Sequence, residues 1–131
     1  MTAFEHASDI DFIRAKIQEL MEDLGPEAVT ELTQSFVDET PDTLNKLQNY
    51  TNSNNFQKLR RAAHSFKSIA QIYGFEEVGS LASQVEQASL SENISDVPSL
   101  LLKMEESYYA ETEYLAQHLS SQHQIVIRIP E

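Results

Sequence analysis

Apolar residues return every three or four positions through most of this chain, a spacing that an α-helix gathers onto one face and a β-strand scatters over two. Ile10, Ile13, Ile17, Leu20 or Met21, and Leu24 begin the pattern, with Ser8 and Asp9 ahead of them as natural N-cap residues. Gly25 closes this first helix, and Pro26 opens a second whose stripe is Val29, Leu32 and Phe36, with Glu27 in its first turn. Pro41 either kinks the second helix or ends it, Thr40 then capping a restart before Leu44, Leu47 and Tyr50; the kink is the reading taken. The polar run Thr51 to Asn55 reads as a loop, and a third helix is expected from about Asn55 to Tyr73, stopped by Gly74. A fourth begins at once with Phe75, Val78, Leu81, Val85 and Ala88 facing inward. After a loop at Ser91 to Ser95, Pro98 marks the start of a long last helix carrying Leu101, Met104, Tyr108, Leu115 and Leu119. Connections this short make neighbouring helices antiparallel. The tail Ile125 to Ile129 is β-prone but too short for a sheet of its own, and the sequence gives it no place.

The composition agrees with one compact helical bundle. The 131 residues are enough for one core, 40% of them are hydrophobic, and only three are Gly and four Pro. Without Cys there is no disulfide, thiolate nucleophile or Cys-based zinc site. The first eleven residues hold Glu5, Asp9 and Asp11 and no apolar run, unlike a signal peptide, and no segment has the length of apolar residues that a membrane helix needs. A soluble, cytoplasmic protein is expected. A net charge of −12 argues against nucleic acid and anionic membranes as partners. That charge is unevenly placed: from Thr43 to Phe75 there is no Asp or Glu, yet Lys46, Lys58, Arg60, Arg61 and Lys67 all lie there.

On the third helix, Leu59, Ala62, Ala63, Phe66, Ile69, Ala70 and Tyr73 fall on one side and form the expected core face. His64 lies roughly 160° from the middle of that face and is expected to point to water. Its neighbours three and four positions away are Arg60, Arg61, Lys67 and Ser68. A neutral imidazole nitrogen is a competent nucleophile toward phosphorus near neutral pH, since free histidine titrates at about 6.5. Cations one turn away can then hold the dianionic product, and a small Ser68 leaves it room. No carboxylate lies within helical reach on either side of His64, and no second metal-ligating residue accompanies it, so hydrolase and metal chemistry are disfavoured. The spacing alone also describes an ordinary exposed histidine on a solvated basic face. His6, His118 and His123 lack the basic flank and are expected to be plain solvent-exposed residues, while Tyr108, Tyr109 and Tyr114 are expected to divide between core and surface.

The segment Ala63-His64-Ser65-Phe66-Lys67-Ser68, with Gly74 ten residues after the histidine and the amphipathic run Leu81 to Glu86 beyond it, resembles the histidine phosphotransfer (HPt) domain family. His64, Phe66, Lys67 and Gly74 match the family pattern; Ser68 stands where the family has glycine. Asp38-Glu39-Thr40-Pro41 is also similar, and the resemblance runs from about Ile10 to Leu119. It implies a single HPt domain over residues 1–131, all-α, an antiparallel up-and-down four-helix bundle at about 10–120 with an additional N-terminal helix and a tail at about 121–131. It further implies a phosphoryl carrier rather than an enzyme, with no ATP site and no cofactor of its own. His64 would be the phosphoacceptor, Lys67 would stabilise the phosphate, and Gly74 would cap the helix. The partners implied are receiver domains of response regulators and hybrid histidine kinases, which bring the aspartate and the Mg²⁺. Docking is expected on a rim that includes Arg60, Arg61, Ser68, Gln71, Ile72 and exposed positions of the second helix. The competing expectation is a docking module of the same fold that binds a receiver or kinase without accepting phosphate.

Overall fold

The computed structural model describes residues 7–130, with side chains from residue 10 onward, and in these residues there are five helices and no strand. They are α1 (Ala7–Leu24), α2 (Pro26–Asn52), α3 (Phe56–Ile72), α4 (Glu76–Leu90) and α5 (Val97–His123). Helix α2 packs on α3 and α5, and α4 packs on the same two, so these four close a ring around a shared apolar core. Helix α1 lies outside the ring against α2, α4 and α5 and contributes Ile13 and Ile17 to the core.

Two helix boundaries depart from the sequence reading. Helix α1 already runs at Ala7, so the positions of Ser8 and Asp9 fall within its bounds and not ahead of it. Helix α2 continues through Asn52 and shortens the expected loop to 53–55. The extra turn holds because Thr51 is buried with its hydroxyl donating to the Leu47 carbonyl at 2.7 Å, while Gln48 donates to the Asn52 side chain at 2.9 Å. Asn55 then caps α3 by accepting from the Lys58 N–H at 3.2 Å.

Pro41 does not end α2. Lacking an N–H, it leaves the Val37 carbonyl four residues earlier without its helical donor. The missing bond is supplied from across the core: the buried Tyr108 hydroxyl on α5 donates to that carbonyl at 2.6 Å. Burial, with lesser contributions from Tyr109 and Asp38, raises the Tyr108 phenol well above its ordinary value, so it remains a proton donor at any pH the fold experiences. Thr40, expected as a possible cap, is instead buried mid-helix with its hydroxyl on the Phe36 carbonyl at 2.7 Å.

A second long-range bond starts α4. Phe75 at its N-cap has no side-chain oxygen, and the fully buried Glu111 of α5 accepts the Val78 N–H at 3.1 Å in its place.

The turn between α3 and α4 is the most constrained in the chain. Gly74 has φ +74°, its N–H bonds the Gln71 carbonyl at 3.1 Å, and the next N–H, of Phe75, bonds the Ala70 carbonyl at 3.0 Å. This is the paired-bond helix ending that favours glycine at the left-handed position. Gly74 has a further duty that spacing could not show. A Cβ placed there would press on the Phe12 carbonyl and lie 2.8 Å from the Ile13 nitrogen, so the backbone of α1 rests directly on it.

The tail, left unplaced by the sequence, runs extended after Gln124, which takes a left-handed φ of 53°. Ile125 and Ile127 are buried and Val126 between them is 77% exposed, the alternation of a strand without a sheet. The side-chain amide of Gln34 on α2 takes the place of a neighbouring strand, donating to the Arg128 carbonyl at 2.8 Å and accepting the Arg128 N–H at 2.9 Å.

Two stability outcomes follow. Gly74→Ala should cost about 2–4 kcal/mol in urea denaturation, combining the positive φ with a clash against backbone that cannot move aside. Tyr108→Phe should cost about 1–3 kcal/mol by stranding the Val37 carbonyl. The second penalty should shrink in a Pro41→Ala background, where a restored helical N–H reaches that carbonyl. Equal penalties in both backgrounds would show that Tyr108 does not compensate for Pro41.

Candidate functional site

Helix α3 is built as the periodicity predicts, with Leu59, Ala63, Phe66 and Ala70 buried and His64 on the outer side, its side chain 60% exposed. Ile69 is the exception. Expected in the core, it is 44% exposed, because it stands about 80° from the centre of the buried residues at an edge where α2 does not close over it. Ala62, at the same edge, is only partly buried.

The turn at Gly74 folds α4 back along α3. His64 lies ten residues before that glycine and Glu86 twelve after it, so the two stand at similar heights above the turn. Glu86 Oε2 lies 2.8 Å from His64 Nδ1, and Glu86 Oε1 accepts from Lys67 Nζ at 2.9 Å. One carboxylate thus bridges the candidate nucleophile and the candidate phosphate-binding lysine. The side chains of Glu86 and Lys67 are only 14% and 23% exposed, so the pair is sheltered while the imidazole above it is open to water.

This bridge decides which imidazole nitrogen can react. The hydrogen bond from Lys67, with that from His64, holds the Glu86 carboxyl below its ordinary range against the opposing effect of partial burial. Ionised at neutral pH, Glu86 can only accept, so Nδ1 carries the hydrogen. The Nε2 lone pair is then directed outward, and Nε2 has no hydrogen-bond partner among the described residues. A site with an oriented, unprotonated, exposed nitrogen beside an ammonium suits attack on an electrophile carrying negative oxygens.

Sequence reasoning missed Glu86. It was correct that no carboxylate lies within reach on α3 itself; the partner comes from α4. The available signal was the near-equal distance of His64 and Glu86 from the helix-ending glycine, which in a tight helical hairpin places two residues opposite each other.

The other expected site residues are spread out. Arg60 is half-buried and turns toward a recess at the α2–α3 loop lined also by Asn55, Ser89 and Glu92, whereas Arg61 is exposed. Neither makes an ion pair among the described residues. The Ser68 hydroxyl is turned back onto its own helix, donating to the His64 carbonyl at 3.2 Å. Gln71 lies against α4, its Cγ 3.6 Å from where a Cβ of Gly79 would be. Ile72 is exposed, as are Ile69 and Leu32. The last two line an open groove between α2 and α3 floored by Phe36, Phe66 and Tyr73. Phe36 stacks on Tyr73 with ring centres 4.5 Å apart and meets Phe75 edge-on at 5.3 Å, which fixes α2 against the end of α3. Burial, with the nearby Glu39 carboxylate, raises the Tyr73 phenol, so it stays un-ionised.

His118 and His123, expected as plain surface residues, are half-buried: His118 stacks on Tyr114 and His123 meets it edge-on. His6 lies outside the described residues. Among the described residues no three potential metal-ligating side chains come together, and no helix is long and apolar enough to cross a membrane.

Compared with known proteins, the chain matches the family model described as the Hpt domain over residues 31–120. No curated protein and no solved structure gives a match.

In ¹⁵N NMR at neutral pH, His64 should show the Nδ1–H tautomer, and Glu86→Ala should mix in the Nε2–H form. An unchanged tautomer in the variant would remove Glu86 from this role. Because folding lowers the Glu86 pKa, the stability contributed by its carboxylate is present above the unfolded-state value and is lost as pH falls through the lower folded value. Glu86→Gln should therefore flatten the acid side of the stability–pH curve, measured by urea midpoints from neutral pH downward.

Proposed function

Since the chain belongs to the Hpt domain family, we propose that it carries a phosphoryl group on His64 in a two-component phosphorelay, taking it from the aspartate of one receiver domain, or from a histidine kinase, and passing it to another receiver. The observation that supports this most directly is the Glu86 bridge, which orients His64 Nδ1 inward and leaves Nε2 open beside Lys67.

In the transfer, the Nε2 lone pair attacks the phosphorus of an aspartyl phosphate. The P–N bond forms as the P–O bond to the aspartate breaks, and the receiver's carboxylate leaves with that electron pair. Nδ1 keeps its hydrogen throughout, and the positive charge that develops on the ring is balanced by Glu86. Lys67 is one helical turn from His64 and already within 2.9 Å of the same carboxylate, so a modest rotation exchanges Glu86 for a phosphoryl oxygen. Arg60 and Arg61 add positive potential without a fixed contact. On this reading the protein is a carrier and not an enzyme. It uses no cofactor of its own, the Mg²⁺ of the reaction belongs to the receiver, and the work is done in the cytoplasm.

The surface around His64 suits such a partner. Leu32, Ile69 and Ile72 are exposed, and the α2–α3 groove offers an apolar seat beside the nucleophile, with Ser68 and Gln71 between them. On this reading α2 to α5 make up an antiparallel up-and-down bundle that presents this face, with α1 as the additional helix.

Incubation with a phosphorylated receiver domain should place an acid-labile phosphate on the protein, and His64→Gln should abolish it. Lys67→Ala should leave the fold intact and slow transfer roughly tenfold, the value of one charge-assisted hydrogen bond. Binding of the receiver without any label on the unaltered protein would select the docking-module reading instead.

A further inference from the structure

The exposed face shared by α2 and α3 is unevenly charged. From Pro26 to Asn45, α2 carries Glu27, Glu31, Asp38, Glu39 and Asp42, all exposed, and no Lys or Arg. Its first cation, Lys46, is exposed, as is Arg61 on α3. Residues 53–55 join the two helices, so positions equally far from that loop stand side by side, as Phe36 and Tyr73 do with their rings stacked. By the same rule Lys46 lies near Arg61, and Glu39 near Ile69. Glu39 and Ile69 both line the apolar groove over Phe36, Phe66 and Tyr73, and the Glu39 charge is felt by the Tyr73 phenol. Glu31 and Asp38 belong to the far side of α2, where they line a recess with Arg128 of the tail. Glu39 and Asp42 are left beside the groove, and neither makes an ion pair among the described residues.

We propose that Glu39 and Asp42 determine partner specificity, selecting receiver domains whose docking surface carries Lys or Arg beside an apolar side chain. The proposal rests on the receiver-docking reading above, in either its carrier or its docking-module form, and adds the charge that the partner must bring. An apolar groove accepts any apolar side chain of suitable size and so discriminates little by itself. A charge at its rim discriminates more, because a partner carboxylate placed there meets a like charge, and such pairs are costly where water is displaced.

The same pattern orients the partner. Its acceptor aspartate must reach His64, on the side of α3 where Arg61 and Lys67 lie, while its cations meet Glu39 and Asp42 across the groove. Docked the other way round, acid would face acid and base would face base. Packed helix axes stand about 8–10 Å apart and His64 faces α4, so the α2 carboxylates lie farther from it than the Debye length of about 8 Å at physiological salt. They therefore leave the imidazole unaltered and act on what docks. At a net charge of −12 the chain repels an acidic partner at long range, so cations on the partner also speed its approach.

A panel of receiver domains, ranging from basic to acidic around the acceptor aspartate, can be titrated against the intact ¹⁵N-labelled protein, with Kd read from amide shifts. Affinity should rise with the number of Lys and Arg on that surface, and the shifts should include Leu32, Glu39 and Ile69. Glu39→Lys combined with Asp42→Lys should weaken the tightest receiver about tenfold at low salt and less at high salt, and should tighten an acidic one. Reversing the basic residues of that receiver to Glu should restore its affinity for the double variant, with helical circular dichroism unchanged throughout. An affinity order indifferent to charge, equal losses for basic and acidic receivers, no receiver bound at all, or self-association of the protein through this face would each overturn the proposal. Phosphoramidate, a small donor that needs no docking, tests the carrier reading separately. Failure to label His64 would refute that reading, while the titrations alone decide this one.

Discussion

The short turn around Gly74 is the constraint on which both the packing and the site depend. Its left-handed backbone ends α3 with two hydrogen bonds and starts α4 two residues later, so the helices fold back with almost no slack. The same absent side chain lets the α1 backbone rest on the turn. One residue therefore fixes the register of α4 against α3, seats α1 against the bundle, and sets which α4 side chain stands opposite His64.

That register gives the site its chemistry. Isolated on α3, His64 and Lys67 would be a solvated imidazole and a solvated ammonium with no fixed relation. Bridged by Glu86, they become an oriented nucleophile and a cation held one turn away. The lysine charge is largely offset until a more negative group arrives, so the resting site is close to neutral while remaining prepared for a dianion. Shelter of the carboxylate and exposure of the ring divide the work: the low-exposure pair holds geometry, and the open edge of the imidazole meets the partner.

The remaining polar groups of the core follow a common pattern, in which α5 repairs what other helices lack. Pro41 would leave a carbonyl stranded in α2, and Tyr108 supplies its donor; α4 begins without a capping side chain, and Glu111 supplies the acceptor. Both bonds are buried, where an unpaired group is costly, so they tie the sides of the bundle together more specifically than apolar contact does. The tail is held by the same logic, through the paired hydrogen bonds of Gln34.

The sequence by itself determined the helices, the core stripe and the exposure of His64, because helical periodicity, Pro26, Gly25 and Gly74 act within a few residues of where they stand. It determined the family resemblance as well, through the spacing of His64, Lys67 and Gly74. Its errors were of range. Ser8, Asp9 and the polar run after Tyr50 carry loop and cap propensities that helix continuation overrode, and Ile69 satisfied the periodicity of a core position that no neighbouring helix covers. Only the tertiary structure decided that Glu86 orients His64, that Tyr108 answers Pro41, and that Gln34 receives the tail. Each of these joins residues on different elements, 19 or more positions apart, where no local pattern in the chain can register the pairing.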